Sequence, residues 1–594
     1  MNASQTASKR FALVLIKPSH YDDDGYVIQW LRSSIPSNTL AVMNGLALDC
    51  RQRRVLGDEV DIDIMAFDET NTRVRPERIA QWIGPSGMVG LVGVQSNQYP
   101  RAMDIARKLR ALGLQVCIGG FHVSGVLAML PGITPELQEA MDLGIALFAG
   151  EAEDRFETVL RDAWNGTLKP LYNYMDDLPA LEGATLPILA AAQIKRTGGT
   201  LTSFDSGRGC PFLCSFCTII NVQGRKSRRR SADDVEQIIR SNLAQGVNRF
   251  FITDDNFARN TDWEIIFDRL IELRENQKLN IKFVIQVDTM CYRLPGFIQK
   301  AKRAGVVRCF VGLESINPDS LMGARKKQNK ITEYRKMLLE WKHAGVHVFA
   351  GYILGFPEDT RESILRDIKI IQRELPLDLL QFHCLTPLPG SEDHQKLYNS
   401  GIPMDPDLNK YDVEHVCTAH PRMSKEEYEL VYREAWAAYY TPEHMETVMR
   451  REAATGGSPG KVLTLLMWSY ASYMLEGVHP YQGGYLRRMY RKDRRPGLPI
   501  ESPLAFYPRY IWDQIAKHVK LIKVVLRHRS FVNKLKKDPD RRNYTDIALT
   551  PVVDDEFDSF EMFSATAAAK SAVNKLRKPG VRTESLAAPF KIVP

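Results

Sequence analysis

Three cysteines, Cys210, Cys214 and Cys217, lie within eight residues of the chain in a C-x3-C-x2-C spacing. Thiolates spaced in this way on a short loop can bind three corners of a [4Fe-4S] cluster and leave its fourth iron open. An open iron can coordinate the amino and carboxylate groups of a co-substrate. The alternative is structural zinc, which is usually four-coordinate, but the nearest other cysteine, Cys291, lies 74 residues away with no histidine in between. The spacing therefore favours the cluster.

Further polar residues follow later apolar segments of the same region. Asp254 and Asp255 come directly after one segment, Gln286 and Asp288 end the next on one face, and Glu314 ends a third. A carboxylate in such a position can bind an ammonium group through a charge-assisted hydrogen bond. For Asp254 and Asp255 the alternative is a helix cap or a solvated loop.

Six apolar segments separated by helical stretches position these residues. They are predicted strands at residues 200–206, 249–253, 282–288, 307–314, 346–354 and 379–385. Ser231, followed by two acidic residues, marks a helix start between the first two, and Gly246 marks its end. Six βα units form a partial TIM-type barrel, in which the chemistry lies at the carboxyl ends of the strands. The cysteines and the polar residues all fall at that rim.

The first 165 residues show another α/β pattern. Strands are predicted at residues 11–17, 60–67, 88–95, 114–119 and 145–149, with amphipathic segments between them. Strands this apolar are buried on both faces, which indicates a doubly wound, Rossmann-like parallel sheet covered by helices. Ligands of such a sheet bind at the carboxyl ends of its strands.

The cysteine motif, placed after the first strand of a six-unit βα barrel, resembles the radical S-adenosylmethionine superfamily. The resemblance implies that the cluster binds S-adenosylmethionine beside Phe216. Residues 254–255 occupy the place of the family's contact to the methionine amine, although the family has Gly-Gly-Glu there. The other cofactor contacts that the resemblance implies are Gln286, Asp288, Glu314, Ile353 and Gly355.

The segment Thr386-Pro-Leu-Pro-Gly390-Ser resembles a closing segment of the branch that carries an N-terminal cobalamin-binding domain. The succession of polar and glycine residues after strands three, four and five of the first domain is similar to that domain. Glycine allows a macrocycle or a nucleotide tail to approach the backbone closely. The resemblance covers about residues 10–400 and implies a cobalamin (B12) site at Ser96, Gly119, Gly120, His122, Gly150 and Glu151.

The signature of a lower cobalt ligand is incomplete. Cobalamin domains that supply one carry Asp-x-His-x-x-Gly after the first strand, and this chain has Pro18-Ser-His20-Tyr-Asp-Asp23. The Asp that would orient the imidazole and the Gly that would open the loop are missing. His20 is therefore a candidate cobalt ligand, with a surface-loop histidine as the alternative.

The implied function is methylation of an unactivated carbon. In this family, reduced cobalamin takes a methyl group from one S-adenosylmethionine, and cleavage of another gives the 5'-deoxyadenosyl radical that removes a substrate hydrogen. One alternative is an enzyme with the same cofactors that performs oxidative cyclisation or rearrangement without methyl transfer. Another is a non-enzymatic cobalamin or redox sensor. The resemblance assigns no catalytic side chain.

The chain of 594 residues is too long for one core, and its 44% hydrophobic and 25% charged residues are typical of globular proteins. The predicted divisions are a cobalamin-binding domain at 10–168, a linker at 169–198, the radical S-adenosylmethionine barrel at 199–400, a helical region at 401–564 and a disordered tail at 565–594. A polar N-terminus, nine cysteines and no apolar stretch of membrane-spanning length predict a cytoplasmic location.

Positive charge is concentrated near the C-terminus. Residues 487–542 hold 17 Lys and Arg against 5 Asp and Glu, in a chain of net charge +8. Within residues 509–537 apolar residues recur at helical spacing, which suits either peripheral contact with an anionic membrane or a helix docked on the barrel. No RNA-binding signature accompanies it, which disfavours nucleic acid. The expected partners are a small-molecule or lipid-like substrate and an electron donor such as flavodoxin or ferredoxin.

Overall fold

The computed structural model describes residues 9–551 and 557–577. Its first region is an α/β domain with seven strands and six helices. The strands are β1 Lys9–Lys17, β2 Gln29–Ser33, β3 Val60–Asp68, β4 Gly87–Leu91, β5 Gln115–Gly119, β6 Ala146–Ala149 and β7 Leu171–Asn173. The helices are α1 Asn38–Gln52, α2 Pro76–Ile83, α3 Tyr99–Ala111, α4 Phe121–Met129, α5 Pro135–Asp142 and α6 Phe156–Asn165.

Six of these strands form a wholly parallel sheet in the order β3-β1-β4-β5-β6-β7. Leu13 and Leu15 pack into the apolar layer on one face, and Val14 and Ile16 pack into the layer on the other. This confirms the predicted doubly wound fold. The order reverses between β1 and β4, which is where ligands bind in open sheets of this kind. Strand β7 extends the sheet into residues 169–198, the predicted linker.

The second region contains the barrel. Its strands are β8 Leu201–Phe204, β9 Gly207–Arg208, β10 Arg228–Arg229, β11 Arg249–Ile252, β12 Lys282–Val287, β13 Val306–Glu314, β14 His347–Leu354 and β15 Leu379–Cys384. Its helices are α7 Ala191–Ile194, α8 Ile219–Val222, α9 Ala232–Leu243, α10 Trp263–Glu275, α11 Phe297–Ala304, α12 Pro318–Gly323, α13 Ile331–His343, α14 Arg361–Glu374 and α15 Glu392–Asn399.

The six barrel strands are parallel, and their order in the sheet, β15-β14-β13-β12-β11-β8, is the same as their order along the chain. All six predicted strands are confirmed. Helix α9 begins where expected, because Ser231 and Asp234 form a reciprocal capping box. The short strands β9 and β10 pair antiparallel beside the barrel and frame the cysteine loop.

The third region is mainly helical, as predicted. It contains α16 Lys425–Tyr439, α17 Pro442–Ala454, α18 Pro459–Tyr470, β16 Gly484–Arg488, α19 Pro503–Lys537 and α20 Ala567–Arg577. Buried residues of α16, α17 and α18 belong to the same apolar core as the barrel. Strand β16 pairs antiparallel with β2 and so ties this region to the N-terminal domain.

One expectation about the tail is wrong. Helix α20 occupies part of the segment 565–594 that was expected to be disordered, and it buries Ala569 and Val573 in the core. The composition, rich in Ala, Ser and Lys, did not reveal this tertiary packing. Residues 578–594 lie outside the described part of the chain. Across the described residues, the helices are all too short or too polar to cross a bilayer.

Candidate cofactor-binding site

The three motif cysteines lie on one loop that begins at β9. Gly209, just before Cys210, has φ +95°, and a Cβ there would overlap the Lys226 carbonyl. The Cys210 amide donates to the Gly224 carbonyl at 3.2 Å. This close return of the chain requires glycine and closes the loop. Cys214 is buried, and Cys210 and Cys217 are partly exposed at the loop surface.

The thiols of this loop fit a cluster better than a single ion. They form no disulfide. Among residues 9–551 and 557–577, no three His, Cys, Asp or Glu side chains converge as one metal ion requires, whereas a cubane spreads its ligands over separate irons. Burial raises the pKa of Cys210 to about 11 and that of Cys217 to about 12. Metal binding would therefore release protons from these thiols.

The two aspartates after β11 have different environments. Asp254 is buried and accepts hydrogen bonds from the Ser206 amide at 2.6 Å and hydroxyl at 2.7 Å. Asp255 accepts from the Gly209 amide at 2.8 Å through one carboxylate oxygen. Asp254 thus braces the end of the first barrel strand, while Asp255 lies directly against the cysteine loop. Of the two, Asp255 has the geometry to receive an ammonium group.

The two predicted polar residues at the end of β12, Gln286 and Asp288, have different partners. Gln286 donates to the Asp254 carbonyl at 3.4 Å. Asp288 forms a two-point ion pair with Arg259, at 2.6 and 2.8 Å, and the Arg259 guanidinium lies 5.5 Å from the ring of Phe212 in the cysteine loop. Asp288 therefore positions a cation at the loop. The sequence did not single out Arg259, because its partner lies 29 residues away.

A second cation, Lys326, also lies near the cysteine loop. Glu314, at the end of β13, pairs with Lys326, whose Nζ lies 5.7 Å from the Phe216 ring. Burial acts to lower the pKa of Lys326, but the Glu314 carboxylate raises it above its usual value. The Gln328 amide approaches the Cys214 sulfur at 3.6 Å. Glu314 was predicted as a cofactor contact, but Lys326 and Gln328 were not, since residues 324–328 carry no recognisable motif.

An apolar wall completes this side of the site. Ile353 is buried in a small cluster with Ala324 and Phe356, against which Phe216 and Leu385 pack. This arrangement brings the predicted residues Phe216 and Ile353 into one group.

Gly355 stands at the end of the same strand with φ +94°. A Cβ at this position would overlap the hydroxyl of Tyr428 from α16. The predicted residue Gly355 is therefore required for close packing of the strand end against the C-terminal helices.

The N-terminal sheet contains a glycine-lined cavity of about 150 Å³ at its switch point. Its lining includes Gly90, Gly93, Gly119, Gly120, Gly150, Glu151 and the first turns of α1. The missing side chains leave a slot between strand ends that suits the narrow tail of a larger cofactor. The predicted residues Gly119, Gly120, Gly150 and Glu151 all meet here.

Two other predicted cobalamin residues do not line this cavity. His122 is fully buried with its ring 4.3 Å from that of Tyr99, and its Nδ1 lies 3.2 Å from the Ser96 hydroxyl. Burial lowers the pKa of His122 to about 3, so the imidazole is neutral. Ser96 and His122 therefore contact each other and Tyr99 in the interior of the domain and have a packing role.

A larger polar cleft of about 700 Å³ lies between the loop after β1, the loop at 412–415 and helices α16 and α19. His20 lines this cleft and not the glycine-lined cavity. Burial lowers the pKa of His20 to about 4. Asp412, Glu414, Arg487 and Lys517 are among the charged residues that face the same space.

Arg208 connects the glycine-lined cavity to the cysteine loop. It stands two residues before Cys210, lines the cavity, and donates to Glu151 at 2.6 Å and to Glu153 at 2.7 Å. A third carboxylate, Asp205, accepts from its Nε at 3.1 Å. Burial acts to lower the pKa of this guanidinium, but the three carboxylates raise it well above its usual value. The two predicted cofactor sites therefore share one buried ion-pair network.

Residues 205–371, which include the cysteine loop and strands β9 to β14, match the family model described as the radical SAM superfamily. This match covers the barrel region of the chain and identifies that region as a radical S-adenosylmethionine domain. Members of this superfamily use S-adenosylmethionine, so the predictions of that cofactor and of an enzyme are confirmed. The match begins at Asp205, one of the carboxylates that hold Arg208.

Methyltransferases are among the relatives of this chain. The chain is 27% identical to bacteriochlorophyllide d C-8(2)-methyltransferase of Chlorobaculum tepidum over 353 residues, which is 56% of this chain and 74% of the relative. It is 26% identical to the C-12(1)-methyltransferase of the same organism over 53% of this chain and 66% of the relative.

A solved structure of the cobalamin-dependent S-adenosylmethionine radical enzyme OxsB, with aqua-cobalamin bound, has the same fold. It aligns with a TM-score of 0.51 and 13% identity over 95% of this chain and 84% of that one. The predicted α/β architecture is thereby confirmed.

Proposed function

We propose that this chain is a cobalamin-dependent radical S-adenosylmethionine methylase that acts on an unactivated carbon of a bulky substrate. The observation that carries this proposal is the position of Arg208. Because one buried side chain belongs to both the cavity wall and the cysteine loop, groups bound at the two sites would share one domain interface. Methyltransferases among the relatives support the reaction type.

The residues of this chain have separate tasks in such a site. Cys210, Cys214 and Cys217 would hold the cluster, and the glycine-lined cavity would hold the cobalamin tail. Bound together, these groups supply the electron that cleaves S-adenosylmethionine and a carrier for its methyl group. Asp255 orients the ammonium group of S-adenosylmethionine, while the apolar wall around Ile353 receives its adenine. Burial of Cys214 and Ile353 limits the access of water to this part of the site.

The proposed substrate site is the cleft of about 700 Å³. Its volume lies within the usual range for ligand pockets, and it carries both acidic and basic side chains. These features suit a large molecule with polar groups at its edge. The two relatives described above are methyltransferases of bacteriochlorophyllide d, which supports a substrate of this kind.

The test is anaerobic reconstitution of the full chain with iron, sulfide and hydroxocobalamin, followed by turnover of methyl-labelled S-adenosylmethionine with candidate tetrapyrrole and lipid substrates. A methylase forms 5'-deoxyadenosine and S-adenosylhomocysteine together and transfers the label. Formation of 5'-deoxyadenosine without label transfer would instead indicate cyclisation or rearrangement. Neither product, with both cofactors bound, would indicate a sensor.

Matched cysteine variants show whether the loop is responsible. Replacing Cys210, Cys214 and Cys217 together by alanine is expected to abolish the cluster spectrum and 5'-deoxyadenosine formation. Cys50→Ala, which alters a buried cysteine packed in α1 of the other domain, is the control. Iron retention in the triple variant would contradict the proposal.

A further inference from the structure

Helix α19 presents an apolar stripe to the surface. Its 35 residues pack against the body through one face, where Phe506, His528, Val532 and Leu535 are buried. The opposite face carries apolar residues spaced by three or four positions, which places them on one side of a helix. The stripe consists of Leu504, Tyr507, Ile511, Ile515, Val519, Ile522 and Leu526, and each is 45–88% exposed.

The stripe is long and continuous. From Leu504 to Leu526 it covers about 33 Å at the rise of an α-helix. Scattered exposed apolar residues are normal on proteins, but a row of this length marks an interaction surface. Trp512, which follows Ile511 directly and is 72% exposed, adds a ring that favours the boundary between water and lipid.

Cations accompany the stripe. Helix α19 contains nine Lys and Arg but one acidic residue, Asp513. Lys520 and Lys523 directly follow two stripe residues and therefore lie along the same flank. These two and Arg529 are exposed and have no ion-pair partner among the residues that the structure describes.

We infer that α19 lies on the surface of an anionic lipid bilayer, with its apolar stripe among the acyl chains and its cations at the head groups. This combination is typical of interfacial helices. A second copy of the chain is a poor occupant, because two helices of the same strong positive charge repel each other. The phosphates of duplex nucleic acid could bind the cations, but the apolar stripe would stay exposed to water.

The same helix also lines the large cleft. Arg509, Tyr510, Asp513 and Lys517 of α19 face the cleft, while Ile511, Ile515 and Val519 face outward. Docking would therefore hold the cleft about one helix diameter, roughly 10 Å, from the lipid head groups. A substrate dissolved in the membrane could then enter the cleft from the bilayer. This consequence rests on the proposed function, whereas the docking of α19 is independent of the proposed function.

Vesicle co-sedimentation of the full chain tests the inference without any turnover. Vesicles of phosphatidylcholine with phosphatidylglycerol are expected to bind the chain, and vesicles of phosphatidylcholine alone to bind it much more weakly. A variant with Lys520→Gln, Lys523→Gln and Arg529→Gln is expected to bind about a hundredfold more weakly, since each of the three cations near the surface contributes about a fivefold factor.

The apolar part is tested by Ile511→Asp combined with Ile515→Asp and Ile522→Asp, which should abolish binding. Ile265→Asp, at a residue 61% exposed on α10, is the control and should leave binding unchanged. Circular dichroism must show equal helix content in all variants. If the triple aspartate variant and the unaltered chain sediment equally with vesicles, the inference is overturned. It is also overturned if the chain does not bind vesicles and light scattering shows a dimer that the aspartate substitutions abolish.

Discussion

Arg208 donates to Glu151 at 2.6 Å from a position two residues before Cys210, and this contact joins the glycine-lined cavity to the cysteine loop. The pair is buried on both sides, with side-chain exposures of 9% and 7%. Glu151 also pairs with Arg228 and Asp205 with Arg230, but removal of Arg208 would take the ion-pair partner from the buried Glu153.

Arg208→Met is therefore expected to destabilise the chain by about 3–5 kcal/mol and to lower its cobalamin content. Denaturant unfolding and absorbance of bound corrin measure the two effects. Arg229→Met, which removes an ion pair to Asp262 whose arginine is 46% exposed, is the control; an exposed pair contributes less than about 1 kcal/mol. Equal losses in the two variants would show that the network has no special role.

Filling the glycine-lined cavity should weaken the binding of one proposed cofactor, cobalamin, without affecting the binding of the cluster. Met43 on α1 lines this cavity, so Met43→Trp is expected to reduce bound cobalamin severalfold and leave iron and sulfide content unchanged. Leu48→Trp, on the same helix but 40% exposed and outside the cavity lining, serves as the control. Full cobalamin binding by Met43→Trp would place the cofactor elsewhere.

Gly355 is expected to be intolerant of any side chain. Gly355→Ala forces a Cβ into the Tyr428 hydroxyl at φ +94° and should lower the stability by several kcal/mol, beyond the strain alone. Gly401→Ala has a similar φ, +63°, but nothing within 4 Å, so it should lose only about 1 kcal/mol from strain. Thermal unfolding compares the two, and equal shifts in Tm would contradict this view.

Asp359 should make stability depend on pH. Burial raises the pKa of this carboxyl from 3.8 to about 7, against the opposing N–H groups of Gly355 and Phe356. The folded chain thus holds the proton more tightly than the unfolded chain. The resulting stabilisation is full below pH 3.8 and is lost as the pH rises through about 7.

Asp359→Asn keeps an acceptor for both N–H groups and removes the titration. The decline in unfolding free energy between pH 4 and pH 7, roughly 2–4 kcal/mol from this group, should disappear in the variant. Glu362→Gln, an exposed residue in the first turn of α14, is the comparison. A slope that survives in Asp359→Asn would assign the pH dependence to another group.

The sequence predicted the strands well because they are continuous apolar runs, and it located the cysteine loop because three thiols in eight residues have few other uses. It could not identify Lys326, Arg259 or Arg208, whose roles arise from partners 12, 29 and 57 residues away. Long-range ion pairs leave no periodic signal in one sequence.

Residue type after a strand also does not fix the direction of a side chain. His122 follows β5 as a ligand would, yet it packs beneath Tyr99, and His20 faces the large cleft. Strand β2 was missed because its partner, β16, lies about 450 residues later in the chain. Tertiary neighbours decide all three cases.

The hydroxyl of Tyr428 bonds the Leu354 carbonyl and accepts from the Leu385 amide at 3.1 Å, so a helix beyond the barrel completes the ends of two barrel strands. The C-terminal region is consequently not an interchangeable module. A chimera that takes this region from a relative lacking an equivalent tyrosine would lose both Tyr428 bonds beside the apolar wall around Ile353, and the Leu385 amide and Leu354 carbonyl would keep their bond to each other at 2.9 Å. Exchange of the whole C-terminal region would therefore disturb the rim of the barrel, whereas substitutions within its helices that keep Tyr428 leave both contacts in place.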